Sequence, residues 1–428
     1  MGGLEAVLLV VGSMVGTGIL VTPALVASST GSLAGVLLVW GGGALYALVG
    51  ALSQAELAVR YPRAGGDYVF LRESFGHLPA FLSGWVSLTL GFAGSLAVLA
   101  LTCSQYLLRA IPEVASRVEQ TPVAILLVLV LTAVNLLGVA AGSRTQALLT
   151  ALKVVGLCVL MGIALWAGPT PPAPVAATLP VSAALLPVVF TYTGWNDAIY
   201  VGGEIARPER NLPLALVAGT AIVAVLYLAF NAAFLLTTGG RVGGNEDLAV
   251  AAAMAQVALG AGSEPLVAGL AALLVGGTMA ALAVTGPRIA FAMAGDAVVP
   301  RFLGRLNRTG APANALLFQA VVAILFVLAG TLQQIIAWVG FALVVFSAMA
   351  TACVFVERSR ESTPSATPAT PGSRYRIPGW PLPPLLYVGA SLAIAMAVAL
   401  AEPLQAVYGL LIVLSGLPVY WLSKSRLN

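Results

Sequence analysis

The sequence reads Gly-Ser-Met-Val-Gly-Thr-Gly-Ile-Leu-Val-Thr at residues 12–22 and Phe-Thr-Tyr-Thr-Gly-Trp-Asn-Asp-Ala-Ile-Tyr-Val-Gly-Gly-Glu at residues 190–204. Each stretch places glycine and hydroxyl residues inside a long apolar segment. Glycine lowers the cost of leaving helical geometry, and unwound backbone at membrane depth is tolerated only where it is buried in protein or lines a cavity. Two such interruptions in corresponding halves of a chain indicate a transport site. The alternative is that these glycines only allow close helix packing.

The composition predicts an all-α integral membrane protein. The 428 residues are 60% hydrophobic and 8% charged, with a mean hydropathy of +0.99, which excludes an ordinary soluble domain. A membrane span needs about 20 apolar residues. Twelve transmembrane helices are predicted, at roughly 4–28, 33–57, 79–108, 121–141, 146–167, 179–204, 212–238, 264–293, 312–330, 333–356, 381–401 and 404–422.

The basic residues predict the orientation. Lys and Arg accumulate on the cytoplasmic side of membrane proteins. If the N-terminus is cytoplasmic, the external loops contain only Arg109, Arg117 and Arg241, and Lys153 lies inside a span. The other sixteen of the 20 basic residues are then internal, so both termini are predicted to be cytoplasmic. The basic residues flank the membrane and do not indicate nucleic acid. The excess of Arg over Lys and the Ala/Gly/Val/Leu richness favour a bacterial inner (cell) membrane.

The chain divides into a core and a C-terminal part. Residues 359–373 are rich in Ser, Thr and Pro and separate the first ten predicted spans from the last two. The predicted core is therefore 1–358, with five-span repeats at about 1–168 and 179–358, and residues 359–428 form an inner loop and helices 11 and 12. An inverted relation between the repeats would bring interrupted spans 1 and 6 together. A short external helix is predicted over residues 248–259.

Several motifs occur in order at the span ends. They are Gly-Ser-Met-Val-Gly-Thr-Gly-Ile at 12–19, Pro-Arg-Ala-Gly-Gly-Asp-Tyr at 62–68, Gly-Trp-Asn-Asp at 194–197, Pro-Glu-Arg-Asn-Leu-Pro at 208–213, and Gly-Pro-Arg at 286–288 leading to Asp296 and Pro300. With them the chain resembles the amino acid–polyamine–organocation (APC) transporters, in the sodium-independent branch of bacterial L-amino acid transporter-like permeases. The resemblance implies a LeuT-type five-plus-five inverted repeat with broken helices 1 and 6.

A backbone site suits an amino acid in a membrane. Unwinding span 1 creates a half-helix N-terminus whose free N–H groups suit a carboxylate, and it frees carbonyls that suit an ammonium. The resemblance assigns the carboxylate to the N–H groups of Thr17 and Gly18, and the ammonium to the carbonyls of Met14, Phe190 and Thr193. The substrate-binding residues that it implies are Met14, Gly16, Thr17, Gly18, Phe190, Thr193 and Gly194.

The side chains around these breaks indicate the substrate class. Phe190 aligns with the family's aromatic gate, although a packing or lipid-facing role is the alternative. In arginine-specific relatives a tryptophan of span 8 stacks on the guanidinium. The matching residues 278–285 contain neither an acid nor an aromatic residue, so the resemblance favours a neutral amino acid. A polyamine or a cationic amino acid would require acids in the pocket, and the sequence is interpreted as having none there. A receptor or channel is the third class, disfavoured because the spans carry only isolated polar residues.

Lys153 is the second strong signal. A charge within a span costs about 2.5–3.5 kcal/mol on insertion scales, so such a residue is usually functional or paired. In sodium-independent relatives a lysine at this place occupies the sodium position and contacts the broken span 1, which predicts sodium-independent transport by proton coupling or exchange. The alternative is a lysine whose ammonium reaches the inner headgroups.

The remaining polar residues have less defined roles. Asp197 is a candidate for a polar network or proton path, and a hydrogen-bonded residue at the helix break is the alternative. Glu204 is a candidate for an ion pair with Arg207 or Arg210, either as a cytoplasmic (inner) gate or as a plain surface pair. Four residues, Glu56, Arg63, Asp67 and Arg72, are predicted to form a structural cluster in the loop after span 2. No P-loop, metal-ligand cluster or catalytic triad appears, so neither an enzyme nor a cofactor is predicted. Eukaryotic relatives form a disulfide bond to a heavy-chain subunit, a glycoprotein, through a cysteine in the outer loop between spans 3 and 4. Loop 109–120 of this chain contains no cysteine, so no such subunit is expected.

Overall fold

The computed structural model describes residues 1–168, 179–240, 249–260, 262–329, 332–361, 375–401 and 403–424. The helices of the first half are α1 Gly3–Met14, α2 Gly18–Thr30, α3 Leu33–Arg60, α4 Asp67–Phe75, α5 His77–Val86, α6 Ala93–Ala110, α7 Pro112–Ala115, α8 Gln120–Leu136 and α9 Val139–Trp166. Those of the second half are α10 Val181–Thr191, α11 Pro208–Pro213, α12 Gly219–Thr238, α13 Ala249–Leu259, α14 Glu264–Gly295, α15 Ala313–Ala329, α16 Leu332–Glu361, α17 Leu382–Ala401 and α18 Pro403–Lys424.

The apolar helices confirm a multi-pass membrane protein. Within the described residues, six continuous stretches are long and apolar enough to cross a bilayer: Leu33–Arg60, His77–Ala110, Val139–Trp166, Pro208–Thr238, Glu264–Gly295 and Leu382–Leu400. Two of them contain π-helical turns, at Ser87–Phe92 between α5 and α6 and at Leu214–Ala218 between α11 and α12. Each predicted span contains helical residues, and a count of twelve crossings stays a prediction.

The first predicted interruption is present. Helix α1 ends at Met14, Val15 has an extended backbone, and α2 begins at Gly18. The two helices are bent by 51° and together are long enough for one span. The three residues between them therefore break the helix where the glycine-rich motif predicted it.

The second interruption is longer than the sequence suggested. Helix α10 ends at Thr191, and the chain then follows short 3₁₀ turns at Asp197–Tyr200 and Gly202–Glu204 until α11 begins at Pro208. Gly202 and Gly203 allow this course, because a Cβ on Gly202 would lie 3.1 Å from the Arg63 carbonyl oxygen. The inner part of predicted span 6 is thus held against the loop after α3 and does not resume an α-helix.

Helix α14 is the central packing element. It contacts α6, α9 and α1, and most of its length is buried. A helix is present where the short external helix was predicted: α13 packs against α9, α12 and α2, and its external location stays a prediction. Most of the polar segment 359–373, at the predicted boundary between core and C-terminal part, lies outside the described residues. Among the residues described, the only β-contact outside helices is an isolated bridge between Ala64 and Val201.

Candidate substrate site

The two helix breaks pack directly against each other. Gly194 has a φ of +94°, and a Cβ there would lie 3.0 Å from the carbonyl carbon and oxygen of Ser13. A Cβ on Gly18 would lie 2.6 Å from Thr191 Oγ1, and the hydroxyls of Thr22 and Thr191 are 3.1 Å apart. Both breaks therefore use glycine to bring the backbone of α1–α2 against the backbone of α10 and the turn that follows it.

A cavity of about 340 Å³ opens beside these breaks. Four of the predicted residues, Phe190, Thr193, Gly194 and Asp197, line it. The other walls come from α1, α4, the α5–α6 span, α14, α16 and α17, and include Ser13, Asp67, Ser87, Ser95, Thr278, Leu282, Leu343 and Tyr387. Its volume suits a small molecule, and its polar groups stand among apolar ones, as in ligand sites generally.

The predicted carboxylate position is at the start of α2. The amides of Thr17 and Gly18 donate no backbone hydrogen bond within the described part of the chain. Helix N-termini leave such groups available to anions. Gly18 itself packs on Thr191, so close helix packing is one reason for glycine there, as the alternative interpretation held. Among the residues of this motif, Ser13 lines the cavity wall, while Met14, Gly16, Thr17 and Gly18 lie next to it in the chain.

Two of the three carbonyls predicted to bind the ammonium already accept hydrogen bonds. The Tyr227 hydroxyl donates to the Met14 carbonyl over 2.8 Å. The Phe190 carbonyl accepts from the amide and the hydroxyl of Thr193, over 3.0 and 2.7 Å. A carbonyl has two lone pairs, so the Met14 carbonyl keeps room for a further donor, whereas both lone pairs of the Phe190 carbonyl are already used. The hydroxyl of Tyr227, which sequence reasoning missed, lies 3.3 Å from the Thr191 carbonyl as well, so its single proton is shared between the two breaks.

Lys153 lies at the first break and is fully buried. Its ammonium donates to the carbonyls of Gly12 and Val15, the latter over 2.6 Å, and to Thr278 Oγ1 over 3.3 Å. A side chain with no exposed surface does not reach the headgroups, so the snorkelling alternative is wrong. Thr278 lines the cavity and touches the same carbonyls, and it therefore links the lysine to the cavity wall.

Two buried acids line the cavity, which corrects the expectation of an acid-free pocket. Asp197 and Asp67 are 5% and 6% exposed. Tyr200 donates to Asp67 Oδ2 over 3.2 Å, whereas Asp67 Oδ1 and Asp197 Oδ2 have no hydrogen-bond partner among the described residues. Residues 278–285 of span 8 contribute no acid. The two acids come from the start of α4 and from the broken span 6.

The predicted cluster after span 2 forms only in part. Arg63 and Arg72 share Glu73, and Arg72 also pairs with Asp296. Glu56 pairs with Arg358 instead, and Asp67 accepts from Tyr200. Helix α4 begins at Asp67 after two glycines of positive φ, so this side chain turns into the protein while the arginines stay near the surface.

Glu204 pairs with a residue that the sequence did not indicate. Its carboxylate accepts from Arg288 of α14, with Nε–Oε1 and Nη2–Oε2 distances of 2.9 and 3.3 Å. The expected partners were Arg207 and Arg210, and the 3₁₀ turns direct Glu204 to α14 instead. The pair lines a second cavity, of about 490 Å³, together with Ala64 and Gly203.

The fold is similar to that of a membrane transporter. A nucleobase-cation-symport-1 family transporter, MHP1, in a closed conformation with bromovinylhydantoin bound, aligns with a TM-score of 0.58 over 100% of this chain and 93% of its own, at 15% identity. That likeness shows the fold alone. A family model described as amino acid permease matches residues 1–422, and the chain belongs to this family.

Curated relatives are amino acid transporters. The serine/threonine exchanger SteT of Bacillus subtilis is 27% identical over 99% of this chain and 97% of its own length. The mouse b(0,+)-type amino acid transporter 1 is 27% identical over 98% of this chain and 87% of its own. The human large neutral amino acids transporter small subunit 2 is 29% identical, with coverages of 97% and 78%. The resemblance found in the sequence motifs is thereby confirmed, and amino acid transport is the function of the chain.

Proposed function

We propose that this protein is a sodium-independent secondary active transporter of neutral L-amino acids, working by alternating access with proton coupling or amino-acid exchange. The observation that carries the proposal is the cavity beside the two broken helices, lined by Ser13 at the first break and by Phe190, Thr193 and Gly194 at the second. A zwitterion needs both a donor set and an acceptor set inside a membrane, and unwound helix ends supply both. The names of the relatives, a serine/threonine exchanger and a large neutral amino acids transporter, support this substrate class.

The proposed architecture is a twelve-helix LeuT-type fold. Residues 1–358 form the transport core, with inverted repeats at about 1–168 and 179–358, and residues 359–428 form the inner loop and helices 11 and 12. The alignment with the nucleobase transporter over the whole chain supports this arrangement. The distribution of basic residues supports a cell (inner) membrane location with both termini cytoplasmic.

In the proposed complex, the substrate carboxylate accepts hydrogen bonds from the amides of Thr17 and Gly18. The ammonium donates to the carbonyls of Met14, Phe190 and Thr193. At Met14 it uses the lone pair that Tyr227 leaves free, and at Phe190 it takes the place of the Thr193 hydroxyl. The Phe190 ring, which lines the cavity, acts as the gate that covers the bound amino acid. Gly16 and Gly194 keep the two segments unwound and allow them to stay in contact.

Lys153 replaces a sodium ion in this proposal. Its ammonium binds the Gly12 and Val15 carbonyls at the break, as a cation in that position would. A fixed positive charge repels a second cation at short range. The contacts to Thr278 of α14 join the break, α9 and α14, so Lys153 holds these elements together as the protein changes conformation.

The two cavity acids favour a second candidate, a carrier of cationic amino acids. An unpaired carboxylate beside a bound substrate attracts an ammonium or guanidinium side chain. The b(0,+)-type relative is named only as an amino acid transporter and does not discriminate between the two. Competition by lysine and arginine against serine, threonine and leucine separates them, since the neutral carrier binds the latter set more tightly.

The proposed transporter works without a disulfide-linked subunit. One relative is named as a small subunit, but loop 109–120 of this chain contains no cysteine that such a link would need. The purified chain alone is therefore expected to transport. This makes reconstitution of the single chain the direct test.

The test is uptake of radiolabelled amino acids into liposomes that contain the purified protein. Uptake is measured with sodium or with choline outside, and with or without an inward pH gradient. Each condition is repeated with and without unlabelled amino acid inside. Uptake that does not depend on sodium supports the proposal. Dependence on the pH gradient then indicates proton coupling, and dependence on internal amino acid indicates exchange. Strict sodium dependence contradicts the assignment of Lys153, and absence of uptake of any neutral amino acid contradicts the substrate class.

A further inference from the structure

The wall of the substrate cavity contains two carboxyl groups that no positive charge balances. Asp67 begins α4, Asp197 begins the 3₁₀ turn after α10, and both side chains are at least nine-tenths buried. One oxygen of each, Asp67 Oδ1 and Asp197 Oδ2, has no hydrogen-bond partner in the described part of the chain. Burying an ionised carboxylate without a partner is strongly unfavourable.

The groups around the two acids are themselves neutral or acidic. Tyr200 lies between them, donating to Asp67 and close to Asp197. Cys353 of α16 and Tyr387 of α17 are the other titratable groups that face Asp67, and each acid also faces the other. No lysine, arginine or histidine of the described ranges forms an ion pair with either carboxyl group.

The nearby basic side chains are engaged elsewhere. Lys153 binds the carbonyls of the first break, Arg72 pairs with Asp296, and Arg288 pairs with Glu204. Two buried carboxyl groups close to each other cannot both be ionised without a cation, because desolvation and mutual repulsion both penalise the charged form. The pair therefore retains at least one proton near neutral pH.

The pKa of Asp67, which lies outside the spans, supports the same conclusion. Burial raises the pKa of Asp67 to about 7, with a further rise from the Asp197 carboxylate and an opposing effect of the hydrogen bond from Tyr200. Its charge thus changes within the physiological pH range.

A third polar group faces the same cavity. Ser13 Oγ, on the last turn of α1, belongs to a residue only 7% exposed and lies close to the Asp197 carboxyl group. Ser13 lines the cavity together with both acids, and its backbone packs against Gly194 at the second break. A neutral hydroxyl adds no positive charge, so it does not balance an ionised acid pair.

We propose that Asp67 and Asp197 form a two-carboxyl proton-binding site in the wall of the substrate cavity, and that its proton binds and leaves together with the amino acid. The inference rests on the proposed function, because it assigns the coupling ion of that same site. It places the coupling proton on the acid pair, whereas Lys153 keeps its contacts to the first break. Tyr200 holds Asp67 through its hydrogen bond.

The direction of the coupling follows from desolvation. A zwitterion brings no net charge into the cavity, but by filling the cavity it displaces the solvent that faces the acid pair, and this disfavours the ionised form of the pair. Substrate binding is therefore tighter when the site is protonated, and it weakens as the pH rises through the pKa of the pair. With one linked proton, the apparent Kd increases by up to about tenfold per pH unit above that pKa.

The experiment is equilibrium binding of radiolabelled L-threonine and L-leucine to the purified full chain between about pH 5.5 and 8.5. The wild type is expected to bind more weakly as the pH rises. Asp197→Asn and Asp67→Asn should bind with a Kd that no longer depends on pH. Asp197→Glu keeps a carboxyl group and should keep the dependence. Glu113→Gln, on exposed α7, is the matched control and should behave as the wild type.

A second measurement covers the case in which an Asn variant does not fold. Wild-type protein in weak buffer at about pH 7.5 should take up protons when threonine is added, as reported by a pH indicator. Absence of proton uptake overturns the proposal, as does a pH dependence that persists in both Asn variants.

Lysine competition gives a further discriminating result. If the Asn variants lose only lysine binding and keep the pH dependence of threonine binding, the acids bind the charged side chain of the substrate and the proposal is wrong. A wild type that binds neutral amino acids with no pH dependence contradicts this inference alone. A wild type that binds none of them at any pH contradicts the proposed function.

Discussion

Gly194→Ala should separate the two helix breaks. Gly194 has a φ of +94°, which residues with a Cβ rarely adopt. A Cβ added there would lie 3.0 Å from the carbonyl carbon and oxygen of Ser13. A non-glycine residue in a sparsely populated backbone region costs about 1–3 kcal/mol. Overpacking against a neighbour that cannot move easily costs about 1–3 kcal/mol more. Because the neighbouring atoms belong to the backbone of α1, little relaxation is available.

The combined cost is about 2–6 kcal/mol, which is a large part of the stability of a typical domain. We expect a clear fall in the thermal unfolding temperature of the purified variant in detergent and loss of amino-acid uptake in liposomes. Gly42→Ala is the matched control. A Cβ on Gly42 of α3 meets nothing within 4 Å, so that change should be neutral or slightly stabilising, by up to about 1 kcal/mol. Wild-type stability and transport of Gly194→Ala would show that the breaks are not in contact as described.

Four further predictions concern transport. Lys153→Met removes the donor to the Gly12 and Val15 carbonyls, at about 1–3 kcal/mol for each unsatisfied group, and should reduce liposome uptake far more than equilibrium binding of substrate; equal losses would argue against a role in the conformational change. Phe190→Ala should fold normally but reduce coupled uptake several-fold because occlusion is weakened, and wild-type uptake would remove the gate assignment. Gly18→Val forces bulk against Thr191, where a Cβ already lies 2.6 Å from Oγ1, so substrate binding should be lost and stability should fall by about 1–3 kcal/mol; retained affinity would limit Gly18 to packing. Glu204→Gln leaves the buried Arg288 without a charged partner, and we expect lower thermal stability and slower uptake, whereas an unchanged rate would exclude this pair from the inner gate.

The sequence by itself determined the class of the protein and the places where its helices break. Composition alone required apolar membrane helices, because so few charged residues cannot cover a soluble surface. The glycine-rich stretches at 12–22 and 190–204 predicted both interruptions, since backbone freedom is a local property of glycine. The motifs at the span ends predicted the amino acid permease family that the family model confirms. The isolated Lys153 was recognisable because a charge within an apolar span is costly.

Only the tertiary structure decided which polar groups meet. Asp67 is 130 residues from Asp197 in the chain (197 minus 67), and no local pattern shows that both line one cavity. Glu204 was expected to pair with nearby arginines of the next turn, but 3₁₀ geometry directs it to Arg288 on α14. Packing of α12 against the two breaks likewise brings the hydroxyl of Tyr227 to both of them. Helix periodicity describes one segment at a time, whereas a site is formed where packing brings several segments together.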